Sequence, residues 1–229
     1  MAATYEQTLG MLEAEAKSNG QLMIGQCVRF YPQYEYLYRA VRDQQYGTIL
    51  EATFSRVSPL PTWGKENWRN QDLRSGSSLT ELNVHDIDVM QHVFGNPRTL
   101  SCRLESRVTL NDYSESRFNY DKFTVTVISA WLSSSEKFCM SYKIRFEKGT
   151  LEFDGQAVTF TDNSGNIEQI SLPEYDGIVG EIGYYLRVLS ENLPNDLNPS
   201  RQSAYTIYLL EQCFNSAEQN EKTIEVKPL

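Results

Sequence analysis

The chain has 229 residues, of which 40% are hydrophobic and 22% charged, a profile that suits a globular fold with a sizeable core. Its 21 basic and 30 acidic side chains leave a net charge of −9, so it lacks the electrostatic footprint that nucleic acid or an anionic membrane requires. No apolar run approaches the ~18 residues of a membrane span. The first segment is acidic (Glu6, Glu13, Glu15) where a signal peptide would be basic and then apolar. A cytoplasmic location is expected, with no nucleic-acid or membrane partner. Cys27, Cys102, Cys139 and Cys213 lie far apart and read as reduced, mostly core thiols. With histidine only at positions 85 and 92, no metal centre is expected.

Thr4 and Gln7 have the spacing of a capping box, so a helix opens the chain and ends at Asn19-Gly20. Leu22 to Gly25 then reads as a short buried strand. Helix, tight turn and strand together look like the last part of a βαβ-type unit. Residues 1–26 are therefore expected to be the remnant of a preceding domain, and 27–229 a separate α+β domain. Pro32 starts a second helix running to about Gln45, with Gly47 stopping it. Residues 48–57 (TILEATFSRV) alternate as a strand does. A long loop rich in Pro, Trp, Asn and Ser occupies 58–78, and such loops are often functional. The apolar positions from Leu79 to Phe94 predict one helix, closed by Gly95-Asn96-Pro97.

Strands follow at 100–110, 123–132, 138–146, 150–153, 157–160 and 167–172, separated by short turns that favour antiparallel pairing. Helices at about 178–192 and 199–219 close the chain. The expected fold class is α+β: a large, open, mainly antiparallel sheet with helices on one face. An open sheet face would leave Val125, Val127, Trp131, Met140 and Ile144 exposed, and a broad apolar patch tends to mark an interface. A homodimer or homotetramer through the sheet face is expected on that ground.

No G-x-G-x-x-G and no G-x-x-x-x-G-K-[ST] occurs, so no residue is assigned to cofactor binding. Gly177, Gly180 and Gly183 form a run, but no buried strand precedes them. The chemistry concentrates in SGSSLTELNVHDIDVM (75–90). Glu81 and His85 are four apart and share a helix face. A carboxylate beside an imidazole favours its charged form and orients it, giving an acid/base pair for a substrate hydroxyl. On spacing alone, an ordinary helix-surface pair remains open. Arg29, after the apolar stretch of QCVRFYP, reads either as a charge at a cleft edge or as half of a structural salt bridge. Trp63, Asn67 and Trp68 lie in the polar loop. The two indoles either stack on sugar rings or anchor the loop itself.

These blocks, in this order and spacing, carry a resemblance. MIGQCVRFYPQY, then YGTI, PTW and NW, then SGSSLTELNVHDIDVMQHVFGNP, GEIGYYLRVLSENLP and AYTIYLLEQCFNSAEQNEKTIEV resemble the Gfo/Idh/MocA oxidoreductases over essentially the whole chain. The resemblance implies a two-domain parent whose N-terminal Rossmann domain binds NAD or NADP and is missing here. It also implies a junction Glu-Lys-Pro motif carrying a catalytic lysine, just before Met1. The family's Asp four residues before a His is matched by Glu81 and His85. Glu is longer by one methylene, and Gly76-Ser77 stands where Gly-Gly is usual.

The expected function is the substrate-binding and oligomerisation part of an NAD(P)-dependent oxidoreductase acting on a sugar, polyol or related hydroxy compound. His85 and Glu81 would be catalytic, and Arg29, Trp63, Asn67 and Trp68 substrate-binding. No cofactor would bind this chain alone. The alternative is a naturally truncated, non-catalytic homologue serving self-association or ligand binding.

Overall fold

A computed structural model describes residues 1–61, 77–132 and 137–228. Nine strands form one sheet: β1 (Ile49–Pro59), β2 (Thr99–Glu105), β3 (Tyr113–Asn119), β4 (Thr124–Leu132), β5 (Cys139–Phe146), β6 (Gly149–Phe153), β7 (Val158–Asp162), β8 (Ile167–Ile170) and β9 (Ile224–Glu225). Their order is β8-β7-β6-β5-β1-β4-β3-β2-β9. β1 and β4 pair in parallel and the other neighbours are antiparallel. The helices are α1 (Tyr5–Lys17), α2 (Pro32–Arg42), α3 (Ser77–Glu81), α4 (Asn83–Phe94), α5 (Gly177–Ser190) and α6 (Ser200–Glu218), with a 3-10 turn at Cys27–Phe30. Among the described residues no helix is long and apolar enough to cross a membrane.

Period-two alternation sorts each strand into two faces. Ala52 and Phe54 of β1, Val125 and Val127 of β4, and Tyr142, Ile144 and Phe146 of β5 are buried. They form one core with Leu37 of α2, Ile87 and Met90 of α4 and Leu209 of α6. α4 packs between the sheet and α6, α6 lies on β2, and α1 packs outside α6. The Thr4–Gln7 capping box at the head of α1 is present in both directions.

Several local expectations change. Residues 22–25 form no strand: Met23 makes an isolated bridge to Pro199, because the segment meets only a loop there. The helix expected from Leu79 to Phe94 is two helices. Leu82 stays in the right-handed helical region at φ −108° and ψ −56°, but the His85 N–H reaches back only three residues, to the Leu82 carbonyl at 3.3 Å, so the helix is interrupted by one tight turn. Asn83, fully buried, donates from Nδ2 to Ser114 Oγ at 2.9 Å, which ties the start of α4 to the sheet. β3 is an additional strand. Its inward set is Ser114, Ser116 and Phe118, so hydroxyls stand where a hydrophobic pattern would show.

The outer face is the largest correction. Val125, Val127, Trp131 and Ile144 are buried and Met140 is half-buried, so the apolar residues named for an interface are not a bare patch. The opposite face carries charge instead. Arg145 pairs with Glu51 at 2.9 Å, Lys143 with Glu152 at 3.1 Å, and Arg117 with Glu115 at 2.9 Å. The exposed apolar stripe lies on α5, at Ile178, Ile182, Leu186 and Leu189.

Candidate active site

Helix α4 carries two buried aspartates two residues apart, Asp86 and Asp88, each paired with an arginine from another element, and two histidines about two turns apart, His85 and His92. In the first ion pair, Asp86 is completely buried and accepts two hydrogen bonds from Arg56 of β1, from Nε and Nη2, each at 2.9 Å. Arg56 occupies an inward position of β1, in line with Ala52 and Phe54. Its Nη1 contacts Met140 Sδ at 3.5 Å, and its guanidinium lies 5.9 Å from the Phe138 ring centre. In the second, Asp88 accepts from Arg29 Nε at 2.6 Å and Nη2 at 2.7 Å. Arg29 Nη1 donates to the Leu197 carbonyl and to Gln202 Oε1, so the guanidinium is fully engaged. The structure shows Arg29 in the ion pair and also lining a cavity beside His92, so both readings of it have a counterpart.

His85 directly precedes Asp86. Its ring is half-buried, and Nδ1 is buried without a hydrogen-bond partner. Burial, and secondarily the Arg56 charge, lower its pKa to about 4. Its environment thus favours the neutral ring, against the expectation that a carboxylate would favour the charged form. A protonated imidazole would place a second N–H where no acceptor is found. Glu81 ends α3, four residues before His85, with the one-residue turn at Leu82 between them.

The His92 ring stacks on Tyr38 with centroids 4.3 Å apart, and burial, then Arg29, lower its pKa to about 3. A cavity of about 220 Å³ opens beside it, lined by Phe30, Tyr38, Arg39, Arg42 and Leu197. Close by, Glu181 of α5 is buried with a pKa raised to about 7 by burial, then by the Asp88 charge, with Arg29 opposing. Trp63, Asn67 and Trp68 lie outside the described residues.

Arg56 and its pairing with Asp86 are what the sequence reading missed. The available signal was an arginine at an inward position of an alternating strand, which needs a buried acid opposite it. Among the described residues no cluster of three or more His, Cys, Asp or Glu side chains could hold a metal. Nor does any described strand lead through a glycine-rich turn into a helix N-terminus, the arrangement that cradles a dinucleotide.

A GFO/IDH/MocA C-terminal domain model matches residues 34–152, slightly more than half of the 229 residues. The chain belongs to this family. No curated protein matches at the sequence level. Among solved structures, GFO/IDH/MocA-like architecture recurs in levoglucosan dehydrogenase, with a TM-score of 0.86 at 14% identity, covering 100% of this chain and 72% of that one. The same enzyme in complex with NADH and L-sorbose gives a TM-score of 0.85 at 14% identity, covering 100% and 72%. An oxidoreductase from Agrobacterium radiobacter, in complex with NAD+, L-tartaric acid and magnesium, gives 0.82 at 14% identity, covering 98% and 70%. An oxidoreductase from Thermotoga maritima gives 0.82 at 17% identity, covering 98% and 68%. At these identities the likeness establishes the shared fold.

Proposed function

We propose that this GFO/IDH/MocA chain is the substrate-side part of an NAD(P)-dependent oxidoreductase that acts on a hydroxyl-bearing carbon of a sugar, polyol or related compound. His85 handles the proton of the reacting hydroxyl. The observation that carries the reading is the His85 ring: it is half-buried, burial favours its neutral form, and its buried Nδ1 has no hydrogen-bond partner among the described residues. A carbinol carbon exchanges hydride only as its oxygen exchanges a proton, so a base must reach that oxygen. A neutral imidazole has the lone pair to do so.

Glu81, at the end of α3, is proposed to orient substrate and imidazole from the same end of α4. Trp63, Asn67 and Trp68 are proposed to contact the remaining hydroxyls and the apolar ring face. Arg29 is proposed to contribute at one remove, holding α4 in place through Asp88. The nucleotide itself belongs to a further part of the parent polypeptide, and no step through it is assigned to this chain. The four unpaired cysteines suit a reducing, cytoplasmic setting. Self-association in twos or fours through the outer sheet face would run on its Arg/Lys–Glu pairs. Sedimentation should then show subunits separating as salt is raised, since exposed ion pairs are screened. A salt-independent assembly would count against this face.

The binding part of the proposal is testable on the chain alone. Ring NMR signals of His85 should move on titration with a panel of hexoses, anhydrosugars and polyols, while those of His92 stay put. A panel that shifts neither histidine, or shifts only His92, would sink the reading. Calorimetric titration with NADH or NADPH should give no tight binding.

A further inference from the structure

Glu35, Tyr38, Arg39 and Arg42 of α2 are spaced i, i+3, i+4 and i+7, so they share one helix face, and all four line the cavity beside His92. Glu35 and Arg39, four apart, have the spacing of an ordinary helix ion pair. They form none. Glu35 accepts a hydrogen bond from the Tyr175 hydroxyl at 2.5 Å, and Arg39 has neither an ion pair nor a side-chain hydrogen bond among the described residues. Arg42 turns Nε and Nη2 to its exposed neighbour Asp43, and its Nη1 has no hydrogen bond among the described residues. Among the described arginines only Arg39, Arg187 and Arg201 lack an ion pair. Arg187 lines an adjoining cavity of about 270 Å³, which shares Phe30, Glu35 and Leu197 with the first. In a chain of net charge −9, two of the three unpaired guanidiniums thus gather at one pair of clefts.

We propose that the cavity beside His92 is a binding site for a small oxyanion, a phosphate or carboxylate carried on a compact organic body, with its oxygens between Arg39 and Arg42. It is separate from the proposed reaction site, because His92 lies about 10 Å beyond His85 along α4 at 1.5 Å per residue. A guanidinium meets two oxygens of a carboxylate or phosphate with parallel N–H donors. Arg29 cannot serve, since Asp88, Leu197 and Gln202 engage its donors. Arg39 and Arg42 can. Asp43 holds Arg42 only by an exposed pair, and such pairs are weak. The acids that pair with Arg29 and Arg42 do not line the cavity, and the carboxylate that does, Glu35, is bound to Tyr175. The rest of the wall suits the body of the ligand. Tyr38 and His92 present their stack, and Phe30 and Leu197 add apolar surface. At about 220 Å³ the cavity is smaller than the roughly 300–1,000 Å³ of a site for a drug-sized molecule, so the ligand is compact. A cleft lined by guanidiniums also raises the local concentration of anions.

The test uses the 229-residue chain at fixed ionic strength, with the His92 ring signals followed by NMR and affinity measured by calorimetry. His85→Ala assigns the two histidines. The probes share a hexose-derived frame: glucose 6-phosphate, gluconate and neutral glucose. At least one of the two anions should move the His92 signals saturably, and glucose should not. Which anion binds tells phosphate from carboxylate. In the double variant Arg39→Gln with Arg42→Gln the affinity should fall by about tenfold or more, because hydrogen bonds to charged groups are the stronger class. Arg201→Gln removes an unpaired arginine outside the cavity lining and should leave the affinity unchanged.

The absence of a saturable His92 shift with either anion overturns the proposal, as does a response to glucose equal to that of the anions. A folded double variant that binds as tightly as the unaltered chain overturns it too. So does a loss in Arg201→Gln as large as in the double variant, which would mark a general charge effect. If the double variant fails to fold, the contrast between anions and glucose in the unaltered chain still decides. The reading of His85 does not enter, so its failure leaves the assignment of the cavity standing, and the reverse holds as well.

Discussion

Helix α4 has a histidine towards each end and two arginine-paired aspartates between them, and the two histidines are used differently. Arg29, Asp88 and His92 are all engaged. The arginine is shared among Asp88, Leu197 and Gln202, and the imidazole is stacked on Tyr38. Arg56 and Asp86 are equally well paired, yet the neighbouring His85 has a buried ring nitrogen with no partner among the described residues. A satisfied group of this kind rigidifies a core, whereas an unsatisfied polar atom in a well-ordered setting asks for an explanation. The comparison teaches that residue type and helical spacing do not separate a structural histidine from a working one. What separates them is which atoms are left over once the fold has been satisfied.

The largest expected effect lies at the Arg29–Asp88 pair. Arg29→Met leaves Asp88 as an unpaired charge whose side chain is 1% exposed, and breaking a buried pair this way costs about 3–5 kcal/mol. Urea unfolding should show the loss, and a change below about 1 kcal/mol would mean the pair is not the anchor described. Next comes the contrast between the histidines. His92→Ala gives up the Tyr38 stack, worth about 0.5–1.5 kcal/mol beyond area burial. His85→Ala removes a ring whose Nδ1 has no hydrogen bond among the described residues, so it should cost less. The reverse order in thermal unfolding would contradict the assignment of roles.

The pH dependence of stability sharpens the same contrast. Both histidines have folded-state pKa values, about 4 and about 3, below their ordinary value. The folded chain therefore binds fewer protons than the unfolded one below about pH 6.5, and stability falls as pH falls through that window. Glu181 works the other way. Its folded pKa of about 7 is raised, so its contribution is lost as pH rises from about 4.5 to 7. Burial also raises the Asp86 pKa, so Asp86 acts in the same sense as Glu181 and the slope of the unaltered chain is a balance of opposed groups. Removing one depressed histidine shifts that balance, so in His92→Ala stability should gain less, or lose more, between about pH 5 and 6.5 than in the unaltered chain. An undiminished slope in that variant would show that His92 is not depressed.

Much of the fold was legible in the sequence because it rests on periodic patterns. The alternation in 48–57 and 123–132 and the capping box at Thr4 translate directly into β1, β4 and α1. The family blocks likewise pointed to the architecture found. β3 was not legible, since its inward Ser114 and Ser116 are held by hydrogen bonds to Ser129 Oγ and Cys102 Sγ rather than by apolar area. The face of the sheet that bears Val125 and Ile144 was misassigned for a related reason. Alternation tells that two faces differ, not which one the helices cover. At the site, Glu81 and His85 stood out by spacing, but the break at Leu82 depends on Asn83 reaching Ser114 of β3, a contact between distant parts of the chain. Arg56 and Asp86, 30 residues apart, could be paired only in three dimensions.

The most direct test of the central claim is kinetic. In the parent polypeptide that supplies the nucleotide-binding part, kcat/KM for the preferred sugar or polyol should be compared in His85→Ala and His92→Ala, with folding verified for both. General acid–base catalysis is typically worth about 10²- to 10⁴-fold. The account predicts a loss in that range for His85→Ala and less than about tenfold for His92→Ala. A folded His85→Ala enzyme within about tenfold of the unaltered one, or a larger loss in His92→Ala, would contradict it.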